Sequence, residues 1–473
     1  MAFRTVISCK IPMVVILGAT GTGKTKLSLE LAQRFGTEII SADSMQIYKG
    51  LDIVTAKATL QERQLVPHHL LDILEPHQNF TVVDFRNRAL KIIDELTKEN
   101  KVPIIVGGTN YYIESIIYKI LVEDMNDTNA LLWDQSKRKR DSADEETETN
   151  KKQAIVSEGS NRNTPESKEI KKDVEVNRDK IQEDVDNEAK LSNEEIHARL
   201  KAIDPKMAAR LHPNNRRKVL RSIEVWLKSG RLHSEVLEEQ KLSEGQLRRP
   251  GSTIILWLKC EQKVHDERLD ARVDSMLEEG LVQELLNFHE CHNKQRMKDG
   301  NPPDYTKGVY QTLGFKEFHD YLILPEDGKN SDEGRKLLQH SIENMKIATR
   351  RYARRQNKMV RGRFLEIPRR EVPPIYELDT TDLSKWNEDV KNKAIDIIES
   401  YLNESVCNVE PLKPQQHDEK VKIDGHSCNY CEVCERLIIG DKEYSIHLTS
   451  NRHKKVLKKK IQLTEKKLDE PSQ

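Results

Sequence analysis

The octapeptide Gly18, Ala19, Thr20, Gly21, Thr22, Gly23, Lys24, Thr25 lies between the apolar run Met13 to Leu17 and the helix-patterned Leu27 to Phe35, and it constrains the fold more than any other stretch. It fits Gly-x4-Gly-Lys-Ser/Thr in the context that pattern requires: a buried strand, a glycine-rich loop and the N-terminus of a helix. The backbone N–H groups of such a loop converge on an anion, and the helix dipole adds positive potential. Lys24 reaches toward the phosphates, and the Thr25 hydroxyl is placed to hold Mg2+. The loop does not say whose phosphates it binds.

The elements that follow read as an α/β core. Glu38 to Ile40 is a short strand leading into Ser41 to Gly50, and Val66 to Pro76 is a loop with a further short strand. Thr81 to Asn100 has helical periodicity, and Val102 to Val106 is a buried strand that ends in Gly107, Gly108 and Thr109. Strand, helix, strand, helix, strand predicts a parallel sheet with helices on both faces. Ligands of such sheets sit outside the carboxyl ends of the strands, which places Asp43 beside the phosphate loop.

The chain divides further by composition. Residues 1–12 carry Arg4 and Lys10, with no acidic residue before Glu30, and resemble a weak mitochondrial leader; Met13 would serve as a second start. Residues 13–134 hold the first part of the core. Residues 135–192 are highly charged and lack any aromatic residue, so this insertion is predicted to be disordered. Its basic cluster Lys137 to Arg140 is a candidate nuclear address or RNA contact.

Residues 193–250 form a helical insertion domain, with two helical patterns broken at Pro205 and Pro213. In the second, Arg217, Arg221 and Glu224 share one face while Val219, Ile223 and Trp226 share another. Residues 251–400 complete the core with the strand Thr253 to Leu258, a helix pair over Glu261 to Phe288 turning at Gly280, the segment Gly308 to Phe318, and an arginine-rich helix over Thr349 to Arg363. That helix bears Arg350, Arg351, Arg354 and Arg355, has no acid of its own, and is a candidate contact for a phosphate backbone.

A linker at 401–424 leads to a compact signature within 425–460. Cys431, Cys434, His447 and His453 form Cys-x2-Cys-x12-His-x5-His, close to the tetrahedral Cys2His2 zinc pattern. Cys428 is a less well spaced donor. The lysines of Lys454 to Lys460 make this finger look like a nucleic-acid contact, and a disordered tail is expected at 461–473.

Bulk numbers set the remaining bounds. The 78 basic and 78 acidic residues cancel, so affinity for nucleic acid must come from local patches. The seven cysteines form no disulfide framework, which points to a reducing compartment. No apolar run approaches the roughly 20 residues of a membrane-spanning helix. A P-loop NTPase normally carries an Asp at the end of a buried strand, yet Val102 to Val106 and Thr253 to Leu258 supply none; Asp43 and Asp72 remain candidates for it.

Together the motifs resemble the tRNA dimethylallyltransferases, also called tRNA isopentenyltransferases. The resemblance rests on GATGTGKT at Gly18, SADSMQIY at Ser41, PHHLLDI at Pro67, GGTNYY at Gly107, DPKMAARLHPNNRRKVLRSIEV at Asp204, RVDSMLEEGL at Arg272, GVYQTLGFKEF at Gly308 and TRRYARRQ at Thr349. The finger is similar to that of eukaryotic members.

The resemblance implies transfer of a dimethylallyl group from dimethylallyl diphosphate to the exocyclic amine of the adenine 3′ of the anticodon. Asp43 would then be the general base, Thr20 and Thr109 polar groups near the diphosphate, and Arg221 a diphosphate contact. Ser44, Met45 and Gln46 would meet the flipped base. The tRNA anticodon stem-loop is the expected partner of the arginine helix and the finger, with Mg2+ and a structural Zn2+ as cofactors. A monomer acting in cytoplasm and mitochondria is expected, with the nucleus as a further candidate. Two departures stand out: Asn357, Lys358 and Met359 occupy positions where relatives often have an aromatic residue, and the charged insertion falls where the family places a helical lid. A nucleotide or small-molecule kinase is the enzyme alternative, and a non-catalytic RNA-binding adaptor the other.

Overall fold

The computed structural model describes residues 11–78, 80–119, 178–187, 190–243, 246–294, 308–366, 370–413 and 428–468. They fall into two units, 11–119 with 246–413, and 178–243 with 428–468. The first ten residues of the expected leader, the Lys137 to Arg140 cluster with most of the charged insertion, and parts of the linker and tail lie outside the described residues.

The first unit is a parallel sheet of six strands in the order β3-β2-β4-β1-β5-β6: β1 (Met13–Gly18), β2 (Ile39–Ser41), β3 (His68–His69), β4 (Ile104–Val106), β5 (Thr253–Lys259) and β6 (Ile375–Asp379). The reason is legible in β1, whose side chains alternate between two apolar layers. Met13, Val15 and Leu17 pack with Phe85, Ala89 and Ile93 of α2 (Val82–Lys98) and Ile113 and Ile116 of α3 (Asn110–Ile117). Val14 and Ile16 pack on the other side with Leu27 and Leu31 of α1 (Lys24–Phe35) and, further along, Ile397 and Ile398 of α7 (Lys393–Leu402).

Local chemistry sets the boundaries. The expected strand at Val102 starts at Ile104, because Pro103 offers the ladder only its carbonyl, which accepts from Val14 N at 2.9 Å. The start of α2 is fixed by a reciprocal cap between Thr81 and Asp84.

A third apolar cluster supports the loop after β2. It gathers Ile47, Tyr48, Leu51 and Val54 with Val273 and Met276 of α4 (Gln262–Glu278), Leu285 and Phe288 of α5 (Leu281–Phe288), Phe315 and Phe318, and Met345 of α6 (Asp332–Val360). Helices α4 and α6 run antiparallel and are laced by ion pairs at every fourth residue. Asp266 meets Arg354, Asp270 meets Arg350, and Asp274 meets Lys346 at 2.6 Å. The chain leaves this unit after α3 and returns at Leu247, where a bridge to Tyr118 and a bond from Lys119 N to the Gln246 carbonyl (3.0 Å) hold the two crossings together.

In the second unit, helices Asn193–Ile203, Pro205–Arg210 and Arg216–Ser229 enclose Leu200, Met207, Val219 and Ile223. Asp204 joins them, accepting from Met207 N at 2.9 Å and Ser234 N at 2.8 Å. Order begins ahead of the expected boundary: Arg178–Asp186, inside the stretch predicted to be disordered, is a helix because Ile181 and Val185, four residues apart, find this apolar cluster. The finger is an antiparallel hairpin, β7 (Cys428–Cys431) and β8 (Arg436–Ile439), followed by α8 (Asp441–Thr449) and α9 (Asn451–Leu468). Among the described residues, no helix is long and apolar enough to cross a membrane.

The carboxyl ends of β2 and β4 touch directly. A Cβ on Gly107 would stand 2.2 Å from the Ala42 carbonyl oxygen, a backbone atom that cannot swing aside. Gly107→Ala is therefore expected to cost at least about 1–3 kcal/mol by overpacking, seen as a lower midpoint in thermal unfolding.

Candidate active site

Helix α1 begins with an unusual deficit. Its cap residue is Gly23 at φ +88°, no side chain caps it, and no acidic residue occupies its first turn. The N–H groups that every helix start leaves unpaired, together with those of the preceding loop, are thus offered to an anion. A side chain at position 23 would be excluded on two counts, the positive φ and the Trp386 ring, which would lie 2.8 Å from its Cβ.

The loop is held from both sides. The buried His265 of α4 has its Nε2 2.8 Å from the Thr20 carbonyl, and the buried Gln356 of α6 accepts from Thr20 N at 2.9 Å through Oε1. The amide of Gln356 also donates to the Gly108 carbonyl at 3.2 Å, tying the phosphate loop to the end of β4. Inside the loop, Thr22 Oγ1 and Lys24 Nζ donate to the Ala19 carbonyl at 2.9 and 2.8 Å. Among the described residues, the Thr25 hydroxyl has no hydrogen-bond partner, which suits it to a metal ion.

Asp43 follows β2 and faces this cradle. Its Oδ1 accepts from Met45 N at 2.9 Å. Thr109, at the start of α3, accepts from Ser44 N at 3.0 Å and donates to Ser44 Oγ at 3.2 Å, so the GGT segment braces the Asp43 loop. Gln46 is fixed as well, accepting from Ser41 Oγ and donating to the carbonyls of Thr55 and Ala56.

The electrostatics separate the roles. Burial raises the Asp43 carboxyl above its ordinary value, opposed by the Met45 N–H and by the positive charges of Lys24 and Arg272. Burial, with the Arg272 charge in support and Asp43 opposing, lowers the Lys24 ammonium to about 8. Burial likewise lowers Arg272 and raises the Tyr352 hydroxyl, the latter with help from Asp43. A carboxylate more basic than usual stands among two cations held short of full hydration. Such a group accepts a proton readily, while the cations and the nest await negative charge.

The structure therefore brings together Gly18 to Thr25, Asp43 to Gln46 and Thr109. The arginine helix is more divided than its sequence suggests: Arg350 and Arg354 meet aspartates from α4, although Arg354 stays exposed, while Arg351 and Arg355 are exposed without such an ion pair among the described residues. Arg221 belongs to the second unit, where it lies 3.7 Å from the buried Glu224. Sequence reasoning assigned no role to His265, Arg272 or Gln356. A signal existed: on α4, His265 and Arg272 fall in line with Leu269 and Met276, two polar residues on an otherwise apolar stripe.

In the finger, the donor atoms of Cys431, Cys434, His447 and His453 all lie within 4.8 Å of one another. His453 Nδ1 is 3.5 Å from each sulfur and 3.2 Å from His447 Nε2, close to the edges of a tetrahedron around one ion. The spacing of five residues between the histidines is taken up at Ser450, whose hydroxyl accepts from His453 N at 3.2 Å and starts α9. The side chain of Cys428 lies outside those described.

Comparison with known proteins identifies the family. A family model described as IPP transferase matches residues 46–363. The chain is 41% identical to the tRNA dimethylallyltransferase of Homo sapiens over 96% of this chain and 87% of that one. It is 31% identical to the Schizosaccharomyces pombe tRNA dimethylallyltransferase, over 97% of both. A crystal structure of a eukaryotic dimethylallyltransferase acting on tRNA superposes with a TM-score of 0.66 at 28% identity, covering 96% of this chain and 98% of that chain. Matched over more than half its length by the family model and over nearly all of it by these relatives, the chain belongs to the IPP transferase family, with the eukaryotic tRNA dimethylallyltransferases.

Proposed function

We infer that this chain transfers the dimethylallyl group of dimethylallyl diphosphate to tRNA, at the exocyclic amine of the adenine 3′ of the anticodon. The observation that carries the reading is the pairing of a raised carboxyl, Asp43, with an anion nest and the cations Lys24 and Arg272. The allylic carbon–oxygen bond breaks with its electrons on the diphosphate, and the amine nitrogen forms the new bond to carbon. The amine then loses its proton to Asp43. The nest and the two cations act on charge as it develops on the leaving group, where fixed donors are worth most.

Ser44, Met45 and Gln46 fit the wall of the base pocket, since Ser44 N is held by Thr109, Met45 N by Asp43, and the Gln46 side chain by the Thr55 carbonyl. Thr20 and Thr109 fit the bond-breaking region. Arg221, which sits within the DPKMAARLHPNNRRKVLRSIEV motif, is proposed as a further diphosphate contact. The Thr25 hydroxyl suits Mg2+, which when bound supplies charge neutralisation to the diphosphate; such ions keep most of their ligands as water and substrate oxygens. A structural Zn2+ fits the Cys2His2 cluster. A base must be extruded from the loop to reach such a pocket, which unstacked anticodon bases permit. Arg351, Arg355 and the finger lysines are proposed to hold the stem backbone.

Incubation with dimethylallyl diphosphate and an anticodon stem-loop carrying that adenine is expected to add the mass of one prenyl unit to the RNA; an unchanged mass would overturn the reading. Asp43→Asn keeps an oxygen for Met45 N but removes the base, and turnover should fall about 10²–10⁴-fold with an unaltered melting curve.

The pH profile follows from the two shifts. Protonation of Asp43 removes the acceptor, so kcat/KM should fall on the acid side with a limb above the ordinary carboxylate range. Loss of the Lys24 proton should give an alkaline limb near pH 8 in kcat/KM. The same limb in kcat should lie higher, because bound diphosphate favours the ammonium. Cys434→Ser, which removes one ligand of the finger metal and does not touch the Thr25 site, should raise KM for the stem-loop and leave KM for dimethylallyl diphosphate unchanged.

A further inference from the structure

Tyr111 is the second residue of α3, two positions beyond Thr109, yet it is 55% exposed on a helix where most other side chains are buried. It is not loose. The guanidinium of Arg363 lies over its ring, 4.0 Å from the centroid. Arg363 in turn is bound by Glu114, one turn further along α3, and Glu114 also accepts from Arg370 Nη1 at 2.6 Å. Arg370 donates to the Arg363 carbonyl at 3.0 Å, and its own guanidinium lies 3.7 Å from the centroid of the Tyr118 ring. Glu114 and Arg370 are almost wholly buried, with side chains 11% and 6% exposed.

These contacts fix a partly exposed pair of aromatic ring and guanidinium on the helix whose start, Thr109, braces the Asp43 loop. Two residues of chain span at most about 7 Å, and Thr109 touches Ser44 beside Asp43. A ring held by a cation on one face, with more than half of its surface free, does little for the core. It matches the platforms on which single-stranded bases stack, where aromatic and arginine planes work together.

We propose that Tyr111, backed by Arg363 and the Glu114 anchor, is a stacking subsite for a nucleobase of the RNA loop that flanks the extruded adenine. This rests on the function inferred above. Tyr111 and Arg363 bind the neighbouring base and thereby set the loop's position over Asp43, so their effect falls on RNA binding more than on chemistry.

The test uses the full chain with stem-loops carrying 2-aminopurine at each loop position in turn, and stem-loops with an abasic site there. The wild-type protein should quench one position strongly, and Tyr111→Ala should lose that quenching. KM for the RNA should rise roughly 5- to 150-fold in Tyr111→Ala, the range set by a stacked base, with kcat and KM for dimethylallyl diphosphate little changed. Tyr111→Phe should stay within about twofold of wild type, because the ring and its cation remain. An abasic site at the quenched position should erase the difference between wild type and Tyr111→Ala. Full prenyl transfer with the same RNA KM in both proteins, or wild-type quenching that Tyr111→Ala retains, would overturn the subsite alone. Failure of the wild-type chain to prenylate any stem-loop would overturn the inferred function and the subsite with it.

Discussion

The start of α1 is the constraint on which the site depends. A helix that begins without a cap or an acid carries an unmet demand for negative charge, and the protein tolerates it because the loop before it cannot relax. His265 and Gln356 grip the Thr20 peptide from two helices, and Trp386 closes over Gly23. The nest is thus held in shape by the protein's own contacts, and donors fixed in this way need little reorganisation when charge develops.

The position of Asp43 follows from the same core. Parallel order puts the carboxyl ends of β1, β2 and β4 on one edge, and the contact of Gly107 with Ala42 sets the β2 and β4 loops against each other at backbone distance. Thr109 then converts that proximity into hydrogen bonds to Ser44. The carboxyl is shielded enough to become more basic, while burial and the Arg272 charge depress the Lys24 ammonium against the pull of that same carboxyl, so the two shifts are halves of one arrangement.

Much of this was legible in the chain itself. The strand runs at Met13, Val102 and Thr253 announce a buried parallel sheet because they are apolar on both faces, and the phosphate loop announces its own geometry through glycine and lysine spacing. Asp43 and Thr109 could be placed because they follow strands. What stayed hidden were partners that are distant in sequence. Gln356 lies 336 residues from Thr20, and no local pattern tells an amide that clamps a loop from one that faces water. Likewise the arginine helix looks uniformly free from its own sequence, since the aspartates that meet Arg350 and Arg354 sit on α4. β6 escaped notice because five residues ending in Glu377 and Asp379 resemble an exposed turn more than a sheet edge. The finger could be read because its donors are close in sequence, as tetrahedral ligand pairs usually are.

The crossing at Tyr118 and Leu247 has a bearing on how such a chain can vary over evolutionary time. Because the outgoing and returning strands are already clasped by Lys119 N on Gln246 and by Arg248 N on the Ile117 carbonyl (2.8 Å), the loop they enclose starts and ends at one point. Closing a longer loop across a fixed gap costs only slowly more entropy. Residues can therefore be added within the charged stretch of that excursion, outside its packed helices, while the crossing itself stays clasped, which makes this neck a natural seam for growth.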